Sequence, residues 1–227
     1  KYSVPYFYGT TGYARRTDKV AEKTTDWTPL FDPAYKGGIS MLNNPRETIG
    51  VGLFSLGYSA NTTDQAELDE ATAKMVAQKP LVVTYDSANM KRSIVQGLPL
   101  THCWDGDVLM ATDAMGGDQK AMDLAVFVRP TEGFCLWMDN LTVPTGKNSR
   151  YGAHLWMDYL MDPKVSGENA SWVWYLSPIA PASWEYTDKF ALSITPTEDE
   201  LARSVVFMDV GEFQRSYDEA WRQIKSA

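Results

Sequence analysis

The sequence predicts an α/β protein, because short runs of β-forming residues alternate with longer runs in which apolar residues recur at helical spacing. Glycine and proline residues separate most of these runs and mark the ends of the elements. Of the 227 residues, 44% are hydrophobic and 22% are charged, which is ordinary for a folded globular protein. This length suits one large domain or two small ones.

The first half of the chain predicts four strands and four helices. The strands are predicted at residues 2–8, 39–42, 81–85 and 100–104, the helices at residues 45–56, 64–79, 88–96 and 106–114, and a capped helical turn at residues 26–31. Asn44-Pro45 and Asp64 are typical helix starts, and Gly57 is a typical helix end. The Gly-Thr-Thr-Gly run at residues 9–12 predicts a turn directly after the first strand.

The second half predicts two more strands and then a largely helical region. The strands are predicted at residues 124–129 and 134–138, and the helices at residues 149–161, 163–172 and 197–227, with a proline-bearing loop at 177–181 and a break at 209–211. Phe213, Tyr217, Trp221 and Ile224 have the spacing of one buried helix face. The chain contains no run of eighteen apolar residues and opens on no signal-peptide pattern, so neither a membrane span nor a leader is expected.

The formal net charge of −8 argues against nucleic acid as a partner, because phosphate binding requires a basic surface. The same charge favours a cationic ligand through the overall field, although solubility explains it equally well. The chain is also rich in large aromatic residues, with 8 Trp and 12 Tyr. Aromatic side chains serve in cores, and they are also favoured where a protein grips a small ligand.

Two cysteines, Cys103 and Cys135, exclude both a disulfide scaffold and a four-thiolate zinc site. We expect two buried free thiols rather than one disulfide. His102 and His154 are the only histidines, and we treat both as structural because their spacing suggests no metal site. No Ser–His or Cys–His arrangement supports nucleophilic chemistry. The sequence therefore predicts no catalytic residue, no metal site and no cofactor.

Two short motifs each pair a tryptophan with a nearby carboxylate: Trp104-Asp-Gly-Asp107 and Trp137-Met-Asp139. A third anionic element, Asn44-Pro-Arg-Glu47, lies upstream. Carboxylates form charge-assisted hydrogen bonds with ammonium groups, and indole faces attract cations and cover methylene groups. The motifs therefore suit a ligand that is cationic at its ends and apolar between them. Each residue alone is more often a core aromatic or a surface turn.

The chain resembles the periplasmic polyamine-binding proteins of bacterial ABC importers, the spermidine/putrescine class. The matching runs occur in the order of that family, at residues 2–12 (YSVPYFYGTTG), 27–37 (WTPLFDPAYKG), 45–47 (PRE), 56–64 (LGYSANTTD), 104–107 (WDGD), 137–144 (WMDNLTVP) and 209–211 (DVG). The resemblance implies the periplasmic binding protein-like (type II) fold, in which two α/β lobes clamp the ligand in a cleft.

The resemblance also implies a division of the chain. Residues 1–8 match the strand that crosses the hinge, residues 9–139 the second lobe, residues 140–182 the hinge return with first-lobe helices, and residues 183–227 C-terminal helices that return to the second lobe. The first lobe is expected to be incomplete, because the segment that normally precedes the crossing strand has no counterpart. Apolar surface left on the first-lobe helices is expected to favour a dimer or a domain swap.

Site residues are carried over from the family by position. Glu47, Asp107 and Asp139 match acids that meet amines, and Trp104 and Trp137 match aromatics that line the polyamine. Asn44 stands where spermidine-type members carry an acid, Thr195 where a tyrosine is usual, and Phe207 near a position that can supply an amide. These departures favour a diamine or another small amine. Thr10 completes the candidate ligand-binding set, and Arg46 is expected to face away from Glu47 because adjacent helical residues diverge.

The resemblance implies a polyamine ligand, an ABC permease in the membrane as partner, and a periplasmic or lipid-anchored extracellular location. Two alternatives stay open on the residues. One is the same fold with an amino acid, an aminophosphonate or an iron chelate as its solute, and the hydroxyls of Thr10 and Thr11 would suit an anion. The other is a hydrolase that uses Asp107 and Asp139 as a carboxylate pair, for which no sugar-cleft signal is present.

Overall fold

The computed structural model describes residues 3–21, 23–145 and 150–227. The chain forms two compact units. The large unit comprises Thr10–Leu136 and Thr197–Ala227, and the small unit comprises Lys1–Gly9 and Trp137–Pro196. The predicted strand start at residue 2 and helix start at residue 149 lie outside the described residues.

The strands are β1 (Val4–Arg16), β2 (Ile39–Met41), β3 (Val82–Tyr85), β4 (Leu100–Trp104), β5 (Ala125–Val128), β6 (Phe134–Leu141) and β7 (Ser204–Val205). The helices are α1 (Pro45–Phe54), α2 (Gln65–Gln78), α3 (Met90–Val95), α4 (Asp105–Ala114), α5 (Gln119–Leu124), α6 (Arg150–Leu160), α7 (Pro163–Val173), α8 (Lys189–Leu192), α9 (Glu198–Arg203) and α10 (Gln214–Ser226). The predicted α/β fold class is confirmed by this order of elements.

The strands form a mixed sheet in the order β3-β2-β4-β1-β6-β7, and β5 also pairs with β1. β2 pairs in parallel with both β3 and β4, whereas β1 is antiparallel to β4 and β5. In parallel strands the carboxyl ends lie at the same edge, and the helices after them begin there. The ends of β2 and β4 therefore bring the starts of α1 and α4 close together.

The turn predicted at residues 9–12 is wrong, because these residues lie within β1. Thr11 and Gly12 are paired with Trp104 and Cys103 of β4. Gly12 serves close packing rather than a turn: a Cβ there would overlap the carbonyl oxygen of Val128 and lie 2.8 Å from the ring of Phe127.

β1 continues to Arg16, well beyond the end predicted at residue 8. The other strands and helices predicted in the first half are confirmed within a few residues, including β4 with its bounds. Asn44 and Asp64 cap α1 and α2 with their side-chain oxygens, and Gly57 has the positive φ of 79° expected after a helix end. The prediction of residues 197–227 as helix with one break is only partly right. After α9 the backbone becomes extended and adds β7 to β6 before α10 begins.

The large unit contains the main hydrophobic core, on one side of the sheet. α1, α2 and α10 pack there, and Tyr217 and Ile224 of α10 are fully buried, as the predicted helix face requires. A second cluster around Cys103 packs on α3 and α4. Cys103 and Cys135 are both buried and free, which confirms the prediction of two thiols.

The small unit contains α6, α7 and α8, the first residues of β1 and the last residues of β6. Tyr8 of β1 forms an isolated bridge with Leu176, which lies just after α7. Over the described residues, no helix combines the length and the apolar character that crossing a membrane requires. Residues 183–196, which the resemblance assigns to the second lobe, cluster here with the small unit.

Candidate functional site

Four of the predicted ligand-binding residues lie where β2 and β4 end side by side. Asn44 and Glu47 are the N-cap and the third residue of α1. Trp104 and Asp107 hold the same two positions at the start of α4. The shared geometry results from the parallel pairing of β2 with β4, since both strands deliver their helices to one edge.

Glu47 is a buried carboxylate, with an exposed fraction of only 7%. The hydroxyl of Thr11 donates a hydrogen bond to its Oε1 at 3.0 Å. Burial raises the pKa of Glu47 to about 7, although the nearby side chains of Thr11, Trp104 and Cys135 favour the charged form.

Asp107 resembles Glu47 in its environment. Its carboxylate accepts a hydrogen bond from the backbone N–H of Trp104, the bond that a third-position acid makes to its N-cap residue. Its Oδ2 is buried and has no hydrogen-bond partner among the described residues. Burial raises the pKa of Asp107 to about 7, and the nearby charge of Asp105 raises it further. In the described parts of the chain, neither Asp107 nor Glu47 forms a salt bridge.

Asp105, two residues before Asp107, has a different role. It is fully buried and accepts bonds from the N–H and the hydroxyl of Thr10 at 2.8 and 2.7 Å. The guanidinium of Arg129 lies 3.5 Å away and donates from Nε to the Thr10 hydroxyl at 2.8 Å. Thr10, predicted as a ligand-binding residue, is thus fully buried in a network that ties β1 to the start of α4.

Arg46 points away from Glu47, as expected for its helical neighbour. Its guanidinium donates to Asn61 Oδ1 at 2.9 Å and to the carbonyl oxygen of Met208 at 3.2 Å. It also lies 4.6 Å from the ring centroid of Tyr217. The cation nearest to Glu47 in sequence therefore neutralises neither site acid.

Trp137 and Asp139 belong to the small unit. They are two residues apart on β6, so both side chains lie on the same face of that strand. The ring of Trp137 meets that of Tyr175 edge to face, with the centroids 5.0 Å apart and an interplanar angle of 84°. Its indole Nε1 is buried without a hydrogen-bond partner among the described residues. Asp139 is exposed.

Sequence reasoning missed Thr11 and Cys135 as neighbours of Glu47. Thr11 was hidden in a run that predicts a turn, and no sequence signal separates Cys135 from Cys103.

His102 is fully buried, and burial lowers its pKa to about 3, so it is neutral and structural. Within residues 3–21, 23–145 and 150–227, no three His, Cys, Asp or Glu side chains group as metal ligands.

Buried acids without cations among the described residues, beside an indole and at the carboxyl edge of a parallel strand pair, make this edge the candidate ligand-binding site. The family described as bacterial extracellular solute-binding protein matches residues 1–192, and the chain belongs to this family.

Similar proteins agree with this membership. The spermidine/putrescine-binding periplasmic protein of Salmonella typhimurium is 30% identical over 229 residues, which cover 99% of this chain and 64% of the relative. Spermidine/putrescine-binding periplasmic protein 1 of Haemophilus influenzae is also 30% identical, over all of this chain and 62% of the relative. The chain thus spans less than two thirds of the length of these relatives.

A solved structure described as a putative spermidine/putrescine ABC transporter from Listeria monocytogenes superimposes with a TM-score of 0.90. It is 29% identical, and the match covers 99% of this chain and 69% of that chain. The predicted type II periplasmic-binding-protein fold is confirmed by this likeness.

Proposed function

We propose that this protein binds a small polyamine. The observation that carries the proposal is the pair of buried acids, Glu47 and Asp107, neither of which has a salt-bridge partner in the described residues. A protonated amine would supply the missing positive charge and form charge-assisted hydrogen bonds. The indole of Trp104, which lies near Glu47, suits the methylene groups of such a ligand. The names of the relatives from Salmonella typhimurium and Haemophilus influenzae support this ligand class.

Within this class we favour a diamine over a triamine. Asn44 offers a neutral amide where the resemblance places an acid in spermidine-type members, and its oxygen already accepts the N–H of Glu47 at 3.3 Å. A third ammonium group would then lack a charged partner, which is costly in a desolvated site.

Trp137 and Asp139 stay predicted ligand residues of the small unit, on the resemblance and on their shared face of β6. Thr10 is assigned a supporting role instead, because its hydroxyl donates a hydrogen bond to Asp105 and accepts one from Arg129.

We further propose that the protein delivers the amine to a membrane permease of an ABC importer, in the periplasm or as a lipid-anchored extracellular protein. The periplasmic relatives and the ABC-transporter neighbour support this role. The relatives are named as solute-binding proteins, and we propose no enzymatic activity.

The predicted dimer or domain swap stays a prediction. It is supported by α6, where Tyr151, Leu155, Trp156 and Tyr159 share one helix face and are each more than half exposed. Sedimentation velocity of the protein and of the variant Trp156→Gln/Tyr159→Gln tests it. A monomer in both samples would contradict self-association through this face.

A thermal-shift screen tests the proposed ligand class. Putrescine and cadaverine should raise the melting temperature, because a ligand at one hundred times its Kd stabilises the folded state by about 2.7 kcal/mol. 1,4-Butanediol, which has the length of putrescine without its charges, should have no effect. Stabilisation by amino acids, phosphonates or iron chelates, with none from amines, would refute the proposal and select the alternative solute.

A further inference from the structure

The Gly-Thr-Thr-Gly run at residues 9–12 places two hydroxyl groups beside the acids of two different helices. Thr10 and Thr11 are consecutive residues of β1, so their side chains lie on opposite faces of the strand. The Thr10 hydroxyl donates to Asp105 Oδ2 at 2.7 Å, and the Thr11 hydroxyl donates to Glu47 Oε1 at 3.0 Å. These acids lie in the first turns of α4 and α1. The run therefore attaches β1 to the starts of both helices.

Thr11 has little freedom to direct its hydroxyl elsewhere. Its backbone is paired with Trp104 of β4, and the residue is only 1% exposed. Threonine is β-branched, so its χ1 angle is restricted to few values. A hydroxyl carries one proton, and that of Thr11 is used in the bond to Glu47. The backbone pairing and the stiff side chain together fix the donor, and the donor in turn fixes the orientation of the Glu47 carboxylate.

The same pairing puts the Trp104 indole on the face of the sheet that the Thr11 hydroxyl occupies. Residues directly opposite each other on antiparallel strands have their Cβ atoms about 4.5–5.5 Å apart, on one face. Trp104 is opposite Thr11 in the sheet, and Glu47 accepts the Thr11 hydrogen bond. Two predicted ligand residues, one at the start of each helix, are thus arranged around one residue of β1.

We propose that Thr11 is a positioning residue of the amine site, whose hydroxyl holds the Glu47 carboxylate in one orientation and sustains its charged form. The inference rests on the proposed function and adds to it the group that prepares the acid for an ammonium ion. The hydroxyl protons of Thr10 and Thr11 are both donated to carboxylates, so neither is offered to an anionic solute. The assignment therefore also argues against the alternative in which these hydroxyls receive an anion.

Among the described residues, neutral groups rather than cations support the charge of Glu47. Arg46, the preceding residue of α1, donates to Asn61 Oδ1 and to the carbonyl oxygen of Met208 instead. The remaining ionisable groups near the starts of α1 and α4 are Asp105 with its partner Arg129, Asp107, Cys135 and His102. None of their charges lowers the Glu47 pKa, whereas the hydrogen bond from the Thr11 hydroxyl does.

A double-mutant cycle tests whether Thr11 acts through Glu47. Thr11→Val removes the hydroxyl with little change of shape, and it should weaken putrescine binding about fivefold at pH 7, the value of one hydrogen bond. In a Glu47→Gln protein the same change should weaken binding less than about twofold, because the charge that the hydroxyl supports is already gone. Calorimetry measures the four affinities. Equal losses with and without Glu47→Gln overturn the inference.

The Glu47 pKa gives a second readout, which a merely structural role of Thr11 would leave unchanged. Burial holds this pKa at about 7 in the parent protein. Loss of the donor should raise it, because a hydrogen bond to a carboxylate favours the charged form. Carboxyl-carbon NMR of the ligand-free protein measures the change. Thr11→Ser, which keeps a hydroxyl, should restore both the pKa and the putrescine affinity.

The matched control is Thr101→Val in β4, where the buried hydroxyl has no hydrogen-bond partner among the described residues. It should leave the Glu47 pKa and the putrescine affinity at the parent values. An unchanged Glu47 pKa in Thr11→Val would also refute the positioning role. If Thr11→Val does not fold, Thr11→Ala removes the same donor and replaces it in every comparison.

Failure of the proposed function is a separate outcome. If the parent protein binds no amine, the proposed function fails, and the NMR comparison still decides whether Thr11 acts on Glu47. The NMR comparison likewise decides if the Glu47→Gln protein binds putrescine too weakly for calorimetry.

Discussion

At the scale of single residues, the Trp104–Asp107 motif contains two acids with opposite environments. Asp105 accepts two hydrogen bonds from Thr10 and has Arg129 as a counter-charge, whereas Asp107 keeps a buried oxygen without a partner among the described residues. The sequence predicts Asp107 as a site residue through the resemblance, but composition and spacing do not separate it from Asp105. The difference depends on Arg129, which only the fold brings to Asp105.

Asparagine substitutions of these two acids should have different effects. Asp107→Asn should weaken putrescine binding by about 1.5–3 kcal/mol, the value of a charged hydrogen bond, without lowering the free energy of unfolding. Asp105→Asn should destabilise the fold by about 1–3 kcal/mol, because it removes the buried charge that accepts two hydrogen bonds from Thr10 and lies 3.5 Å from Arg129. Calorimetry and urea unfolding measure both quantities. Equal affinity for the parent and Asp107→Asn would remove Asp107 from the site.

Amine binding should release protons near neutral pH. Burial holds the pKa of both Glu47 and Asp107 at about 7, so each is partly protonated at pH 7 without ligand. A bound ammonium favours the charged carboxylate and lowers its pKa. Binding should therefore release about one proton at pH 7 and almost none at pH 9, and affinity should fall as pH drops below 7.

Calorimetry of putrescine binding in buffers of different ionisation enthalpy counts the released protons. Glu47→Gln should reduce the number at pH 7. A binding enthalpy that is independent of the buffer at pH 7 would show that the acids are fully charged before the ligand arrives.

At the scale of elements, the sequence predicts best where local signals and packing agree. β4 is buried and bounded by a proline and a helix start, and α1 has its cap and its proline in place. The turn predicted for the Gly-Thr-Thr-Gly run does not form, because these residues instead belong to β1, which pairs with β4. The sequence does not predict β7, because a strand of two residues is too short to show an alternating pattern. Its extended conformation is evident only from its pairing with β6.

Alanine substitutions at two glycines should separate close packing from simple flexibility. Gly12→Ala should destabilise the protein by about 3 kcal/mol, because the new methyl group overlaps the backbone of Val128, which is itself fixed by pairing with Tyr13. Gly50→Ala in α1 is the matched control, since its methyl group would meet the nearest atom, in the Phe207 ring, at 3.4 Å. It should be neutral or stabilise by up to about 1 kcal/mol.

Urea unfolding of both variants gives these values. A tolerated alanine at position 12 would mean that β1 and β5 are not paired at this point.

At the scale of the whole molecule, the site acids should make ligand-free stability depend on pH in an unusual direction. The folded-state pKa values of Glu47 and Asp107, about 7, exceed the ordinary values of 4.5 and 3.8. The folded state therefore binds more protons than the unfolded state, and stability falls as pH rises through 7. His102 acts in the opposite sense only below its ordinary pKa of 6.5, because burial lowers that pKa to about 3.

The most informative pH range is therefore 6.5 to 8.5. As the pH rises across this range, ionisation of the two acids should lower the free energy of unfolding by about 1–2 kcal/mol in total. Urea unfolding across this window should show the decrease, and Glu47→Gln/Asp107→Asn should flatten it. An equal slope in the double variant would assign the dependence to other groups.

The resemblance predicts the class of protein and the type II fold, because its matching runs extend along most of the chain. The division into lobes that the resemblance implies stays a prediction. Residues 183–196, which cluster with the small unit, contain a 3-10 turn at Trp184–Tyr186 and the short helix α8. No periodic signal in the sequence shows with which unit they pack.

The placement of Arg46 has a consequence for variants outside the site. The Arg46 guanidinium is a permanent cation one residue from Glu47 and could replace an amine as its ion-pair partner. Its contacts with Asn61, Met208 and Tyr217 hold it away from Glu47. A change at Asn61 that frees this guanidinium would let the protein quench its own acid, so the site would be lost although every residue that meets the ligand is intact. If the protein serves transport as proposed, genetic screens for transport-defective alleles should therefore recover Asn61 beside Glu47 and Asp107.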